Sequence, residues 1–73
     1  MATVFVEPQP RDVPEGEAIT HYSLEFAQGA RVTEEDFRNQ AAAVSEAKRL
    51  GHDPQVARVR NTDKENPDHW QPT

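Results

Sequence analysis

The sequence predicts a small α+β fold, an antiparallel sheet of three or four strands with one helix packed on one face, in the order β-β-β-α-β. Three observations predict it. Tyr22, Leu24 and Phe26 alternate with His21, Ser23 and Glu25, the period of a half-buried strand. Residues 40–50 (QAAAVSEAKRL) are rich in good helix formers and stop at Gly51. Short runs of strand-forming residues, 3–7 and 55–60, stand at either side of this pair.

The first strand is expected from Thr3 to Glu7, stopped by Pro8 and Pro10, and at an edge or near one because proline cannot donate to a ladder. Residues 8–17 (PQPRDVPEGE), with three prolines and a glycine, read as a long surface loop. The second strand spans 19–26 and buries Tyr22, Leu24 and Phe26. Gly29 then supplies a tight turn. From Arg31 to Phe37 two readings compete. Thr33 followed by Glu34, Glu35 and Asp36 has the chemistry of a helix start. Alternatively the segment returns as the second arm of a hairpin, and Asn39 caps the helix. Helix 40–50 presents Ala41, Val44, Ala47 and Leu50 on one narrow apolar face. The last strand runs from Gln55 to Arg60, with Ala57 and Val59 toward the helix. One α+β domain over 1–60 is therefore expected, followed by an irregular or disordered polar tail over 61–73.

Composition narrows the function classes. Leu, Ile, Val and Phe make only 13 of the 73 residues, about 18%, close to the border with disorder at ~20%. No apolar run approaches the ~18 residues of a membrane span. There is no cysteine, which removes disulfides and thiolate zinc sites. The first residues lack the pattern of a signal peptide, so a cytoplasmic location is expected. The net charge is −5, and residues 1–37 hold eight acids against two bases. That distribution disfavours nonspecific contact with nucleic acid.

The hairpin across Gly29, the segment Phe37-Arg38-Asn39-Gln40-Ala41-Ala42-Ala43-Val44 and the basic last strand together resemble a class of short bacterial and phage proteins of unknown function. The resemblance covers residues 19–60. It implies a curved antiparallel sheet with one helix on one face, and a strand phenylalanine at position 37. It brings no activity and no catalytic residues.

Candidate chemistry is sparse. The histidines at 21, 52 and 69 lack metal-ligand spacing, and no serine sits in a nucleophile elbow. We therefore expect no catalytic residues, no metal and no cofactor; a metal-dependent enzyme is the remotest alternative. The candidate binding face is the sheet surface opposite the helix, bearing His21, Ser23, Glu25, Arg58 and Arg60. Such a face suits a protein partner or a second copy as a homodimer. The alternative is an accessory protein of phage or mobile elements that touches nucleic acid or a nucleic-acid complex through Arg58 and Arg60. His69 and Trp70 are a candidate tail anchor, in which Trp70 either folds back on the core or docks in a partner as a linear motif.

Overall fold

The computed structural model describes residues 2–11, 13–14 and 16–73. Its elements are β1 (Thr3–Gln9), β2 (His21–Phe26), α1 (Gln40–Arg49), β3 (Asp53–Ala57), a single 3-10 turn (Pro67–His69) and β4 (Trp70–Pro72). One helix lies on a four-stranded sheet of order β2-β1-β3-β4, the small α+β fold the sequence predicts. The sheet is mixed rather than wholly antiparallel, since β1 runs parallel to β3 and antiparallel to β2. The chain direction explains this. After β2, residues 31–37 return along its outer edge, α1 comes back the other way, and β3 must then run with β1.

That return segment is a rudimentary strand. Only Glu25–Arg31 and Tyr22–Phe37 form bridges, the latter through Tyr22 N–H to the Phe37 carbonyl at 2.7 Å and its reciprocal at 2.8 Å. Phe37 thereby enters the core beside Leu24. The acids that suggested a helix start wrap a base instead: the Arg31 guanidinium meets Asp36 at 2.7 Å and donates to the Glu34 and Glu35 carbonyls.

The first strand is not at an edge but one strand in, between β2 and β3, and it contains Pro8. Tyr22, opposite Pro8, spends its backbone groups on Phe37, so Pro8 belongs to a pair without ladder bonds. Pairing with β3 stops at Val6, which leaves no partner waiting for the missing N–H.

Asn39 caps α1, its side-chain oxygen accepting from Ala42 N–H at 2.8 Å. At the other end Gly51 adopts φ +84°, and two bonds close the helix: Gly51 N–H to Lys48 O and His52 N–H to Ala47 O, both 3.0 Å. This is the Schellman arrangement, which favours glycine because other residues resist that backbone region. The helix buries Ala43 and Ala47, with Val44 half-buried, rather than the expected Ala41 and Leu50. Two alanines let the helix sit close on Val4, Val6, Leu24 and Val56. Each such buried aliphatic contributes about 1.5–3 kcal/mol.

The parity of β3 is the reverse of the expectation. Val56 faces the helix, whereas Ala57 pairs with Trp70, on the opposite face. β3 also ends at Ala57, because Arg58 N–H bonds to the His69 carbonyl at 2.7 Å and the chain leaves toward the proline loop. The boundary expected at residue 60 is absent and the tail is ordered: β4 joins the sheet beside β3, and Trp70 is 6% exposed with its ring edge-on to Phe5 at 4.7 Å. The radius of gyration, 11.2 Å, equals that of a compact chain of this length, ~11 Å, so the tail is folded in.

Asn39→Ala is expected to cost about 1 kcal/mol in urea unfolding, while Thr33→Ala stays within about 0.5 kcal/mol. Equal effects would contradict a helix that begins at Asn39.

Candidate functional site

The strand parity that sends Val4, Val6 and Leu24 to the helix sends Phe5, Glu7, Ser23 and Glu25 to the other face of the sheet. Ser23 and Glu25 were expected there in contact with solvent. The structure corrects this: both are buried, as is Glu7. A buried carboxylate needs a positive partner, because desolvation otherwise penalises its charge heavily. The tail and the loop bring such partners. Lys64, only 15% exposed at its side chain, bridges Glu7 and Glu25, lying 2.8 Å from Glu25 Oε1. Arg11 meets Glu25 Oε2 at 2.5 Å, and the Ser23 hydroxyl donates to the same oxygen at 3.0 Å. Thr62 donates to Glu7 at 2.5 Å, and Gln9 donates to Ser23 at 3.1 Å. Burial pushes the Glu25 carboxyl upward, but the hydrogen bond and charge of Lys64, the charge of Arg11 and the Ser23 hydroxyl outweigh it. The net result is a carboxyl held below its ordinary value of 4.5.

The remaining expected site residues are dispersed. His21 exchanges a hydrogen bond with Thr20 at 2.9 Å at the start of β2. Arg60 turns back to the proline loop, donating from Nε to the Glu17 carbonyl at 3.0 Å and from Nη2 to the Pro10 carbonyl at 2.7 Å. His69 accepts from Asp63 N–H at 2.9 Å, and Trp70 Nε1 donates to the Asp63 carbonyl at 3.0 Å. These two residues order the tail internally; Trp70 is not presented to solvent as a linear motif. Among the described residues, no group of three or more His, Asp or Glu side chains is placed to hold a metal ion. Among the described residues no helix is long and apolar enough to cross a membrane.

Arg58 alone of the proposed face is fully at the surface, and it borders a feature that sequence reasoning missed. A groove of about 260 Å³ is lined by Pro8, Ile19, Tyr22, Ala57, Val59 and the two arginines, with Gln40 of α1 at its border. Ile19 and Val59 are 40% and 39% exposed, two of the three large aliphatic side chains left exposed among the described residues. The groove exists because α1 starts only at Gln40 and covers the sheet no further. Ile19 lies just before β2 and Val59 just after β3, so no period in either strand pattern could mark them as partners. The buried cluster did have a signal, the alternation Phe5-Glu7 and Ser23-Glu25. Lys64, in a stretch without periodicity, had none.

Protein-family models, curated proteins and solved structures all gave no match to this chain.

The charge cluster makes two predictions. Lys64→Met leaves two buried carboxylates short of a cation and is expected to cost about 3 kcal/mol, with red-shifted Trp70 emission as the tail loosens. Because the folded Glu25 carboxyl is lowered, its contribution is complete above its ordinary value near 4.5 and is lost as the pH falls through the folded value. Denaturation midpoints should therefore decline in acid for the wild type, and the deficit of Glu25→Gln should shrink there. A deficit that is unchanged from pH 7 to pH 3 would contradict this role.

Proposed function

We propose that this protein is a non-enzymatic binding module that holds a segment of another protein in the groove between β2, the end of β3 and the start of α1. One observation carries the reading. In a chain with only 13 Leu, Ile, Val and Phe residues, Ile19 and Val59 are kept at the surface, and both line the same groove. Scattered exposed aliphatics need no explanation, but a paired exposure in a concave site is the mark of a surface that meets a partner. The face opposite the helix, with Ser23 and Glu25, is already occupied by the protein's own tail and loop. The binding role therefore passes to the groove, and Arg58 and Arg60 are the residues that carry over from the original face.

A second copy is the less favoured occupant, because two chains of net charge −5 repel one another. Direct contact with nucleic acid is less favoured for the same reason.

The test compares capture from a lysate of the source organism by the immobilised wild type and by the double variant Ile19→Ser, Val59→Ser. Both positions are exposed, so the variant should keep the wild-type circular dichroism and lose about 1 kcal/mol at most. Proteins retained by the wild type should fall about tenfold on the variant, the loss expected when an apolar anchor is removed. An identical set of retained proteins on both columns would overturn the reading, and light scattering that shows a dimer abolished in the variant would replace it with self-association.

A further inference from the structure

Resting on that reading of the groove, we infer that its occupant is an aliphatic side chain followed closely by a carboxylate, within a segment of a partner protein. The volume sets the scale. At about 260 Å³ and open to solvent, the groove is smaller than the ~300–1,000 Å³ cavities that enclose small-molecule ligands, and it suits one or two side chains. Its walls set the apolar half of the specificity. Ile19, Val59, Pro8, Ala57 and the ring of Tyr22 present carbon to an incoming side chain.

Charge sets the other half. The molecule is acidic overall, yet the groove is bordered by two guanidinium groups without acidic partners among the described residues. Arg58 makes no side-chain hydrogen bond or ion pair there. Arg60 is held by the neutral carbonyls of Glu17 and Pro10; among the described residues no carboxylate meets it, and its buried Nη1 has no partner. Elsewhere the guanidinium groups of Arg11, Arg31 and Arg49 each meet a carboxylate; of the three that meet none among the described residues, Arg38, Arg58 and Arg60, the last two share one concave site. The opening of α1 adds to the field: its first turn carries no acidic residue, and while Asn39 takes the N–H groups of Ala42 and Ala43, those of Gln40 and Ala41 have no carbonyl partner within the helix. Arg60 is a fixed cation and Arg58 an adjustable one, and a planar guanidinium can take a carboxylate through two parallel bonds.

A single strand of nucleic acid would also be anionic, but it fits less well. The groove offers one aromatic ring and aliphatic walls rather than a series of stacking platforms. A long polyanion would also meet the acids of residues 1–37, whereas a single carboxylate need approach only the groove.

The test selects a displayed library of random dodecapeptides on the folded wild type, on Arg58→Glu and on the groove variant Val59→Asp. The wild type should enrich peptides with an aliphatic residue beside Asp or Glu. Their affinity should fall about tenfold on Val59→Asp, and on Arg58→Glu the preference should change from acidic to basic neighbours. Enrichment of peptides without acids, or of acids whose binding ignores Arg58→Glu, would overturn the inference while leaving the groove as a binding surface. Enrichment that survives Val59→Asp unchanged, or none above that variant, would remove the groove itself. A labelled single-stranded oligonucleotide that binds the wild type and is lost on Arg58→Glu would overturn the protein segment in favour of nucleic acid.

Discussion

Two carboxylates on one face of a small sheet, Glu7 and Glu25, are tolerable in the interior only if a cation reaches both, and Lys64 does so from 57 and 39 residues away in sequence. Much of the second face follows from that bridge. The chain segment that carries Lys64 must lie across β1 and β2, which places Thr62 on Glu7 and brings Trp70 against Phe5. With Trp70 in place, residues 70–72 can pair with β3 and close that edge of the sheet. The proline loop is drawn in from the other side through Arg11 to Glu25, and through Arg60 and Asn61 to its carbonyls. Ion pairs of this kind are poor sources of net stability compared with apolar packing. Their value here is in fixing which segment covers which face, in a chain with few apolar residues to do so.

The helix face works by the opposite means. Ala43 and Ala47 carry little side-chain bulk, so α1 approaches the sheet closely and a few valines, Leu24 and Phe37 suffice to fill the layer. A helix of ten residues fixed at Asn39 and Gly51 cannot cover the whole sheet. The end left open is the one where β2 begins and β3 finishes, and there Ile19 and Val59 remain at the surface. The proposed groove is thus a consequence of where the caps stop the helix.

Electrostatics divides the molecule in the same way. Among the described residues Arg11, Arg31, Arg49 and Lys64 are neutralised by carboxylates close by, at the surface or inside. The exceptions that border the groove, Arg58 and Arg60, follow β3 directly, so the strand that completes the core also delivers the positive charge to the groove. Fold and proposed binding chemistry share these residues.

The sequence by itself determined the features that are local. The alternation of 21–26 and the alanine-rich helix that stops at Gly51 follow from neighbouring residues, whose periodicity and capping chemistry act within a few positions. It also held the clue to a polar second face, in Glu7, Ser23 and Glu25, though alternation marks a residue as facing away from the helix and cannot say what will cover it. Only the tertiary structure decided that the face is buried, that β1 lies one strand in and parallel to β3, and that Val56 rather than Ala57 points to the helix. Each of these depends on partners far apart in the chain: a strand's neighbours set its place, and a short strand with apolar residues on both faces, such as 55–59, has no preferred side until those neighbours exist. The tail is the clearest case. Local bonds from His69 and Trp70 to Asp63 shape 61–73, but what places it on the sheet is Lys64 and Trp70 against residues of β1 and β2.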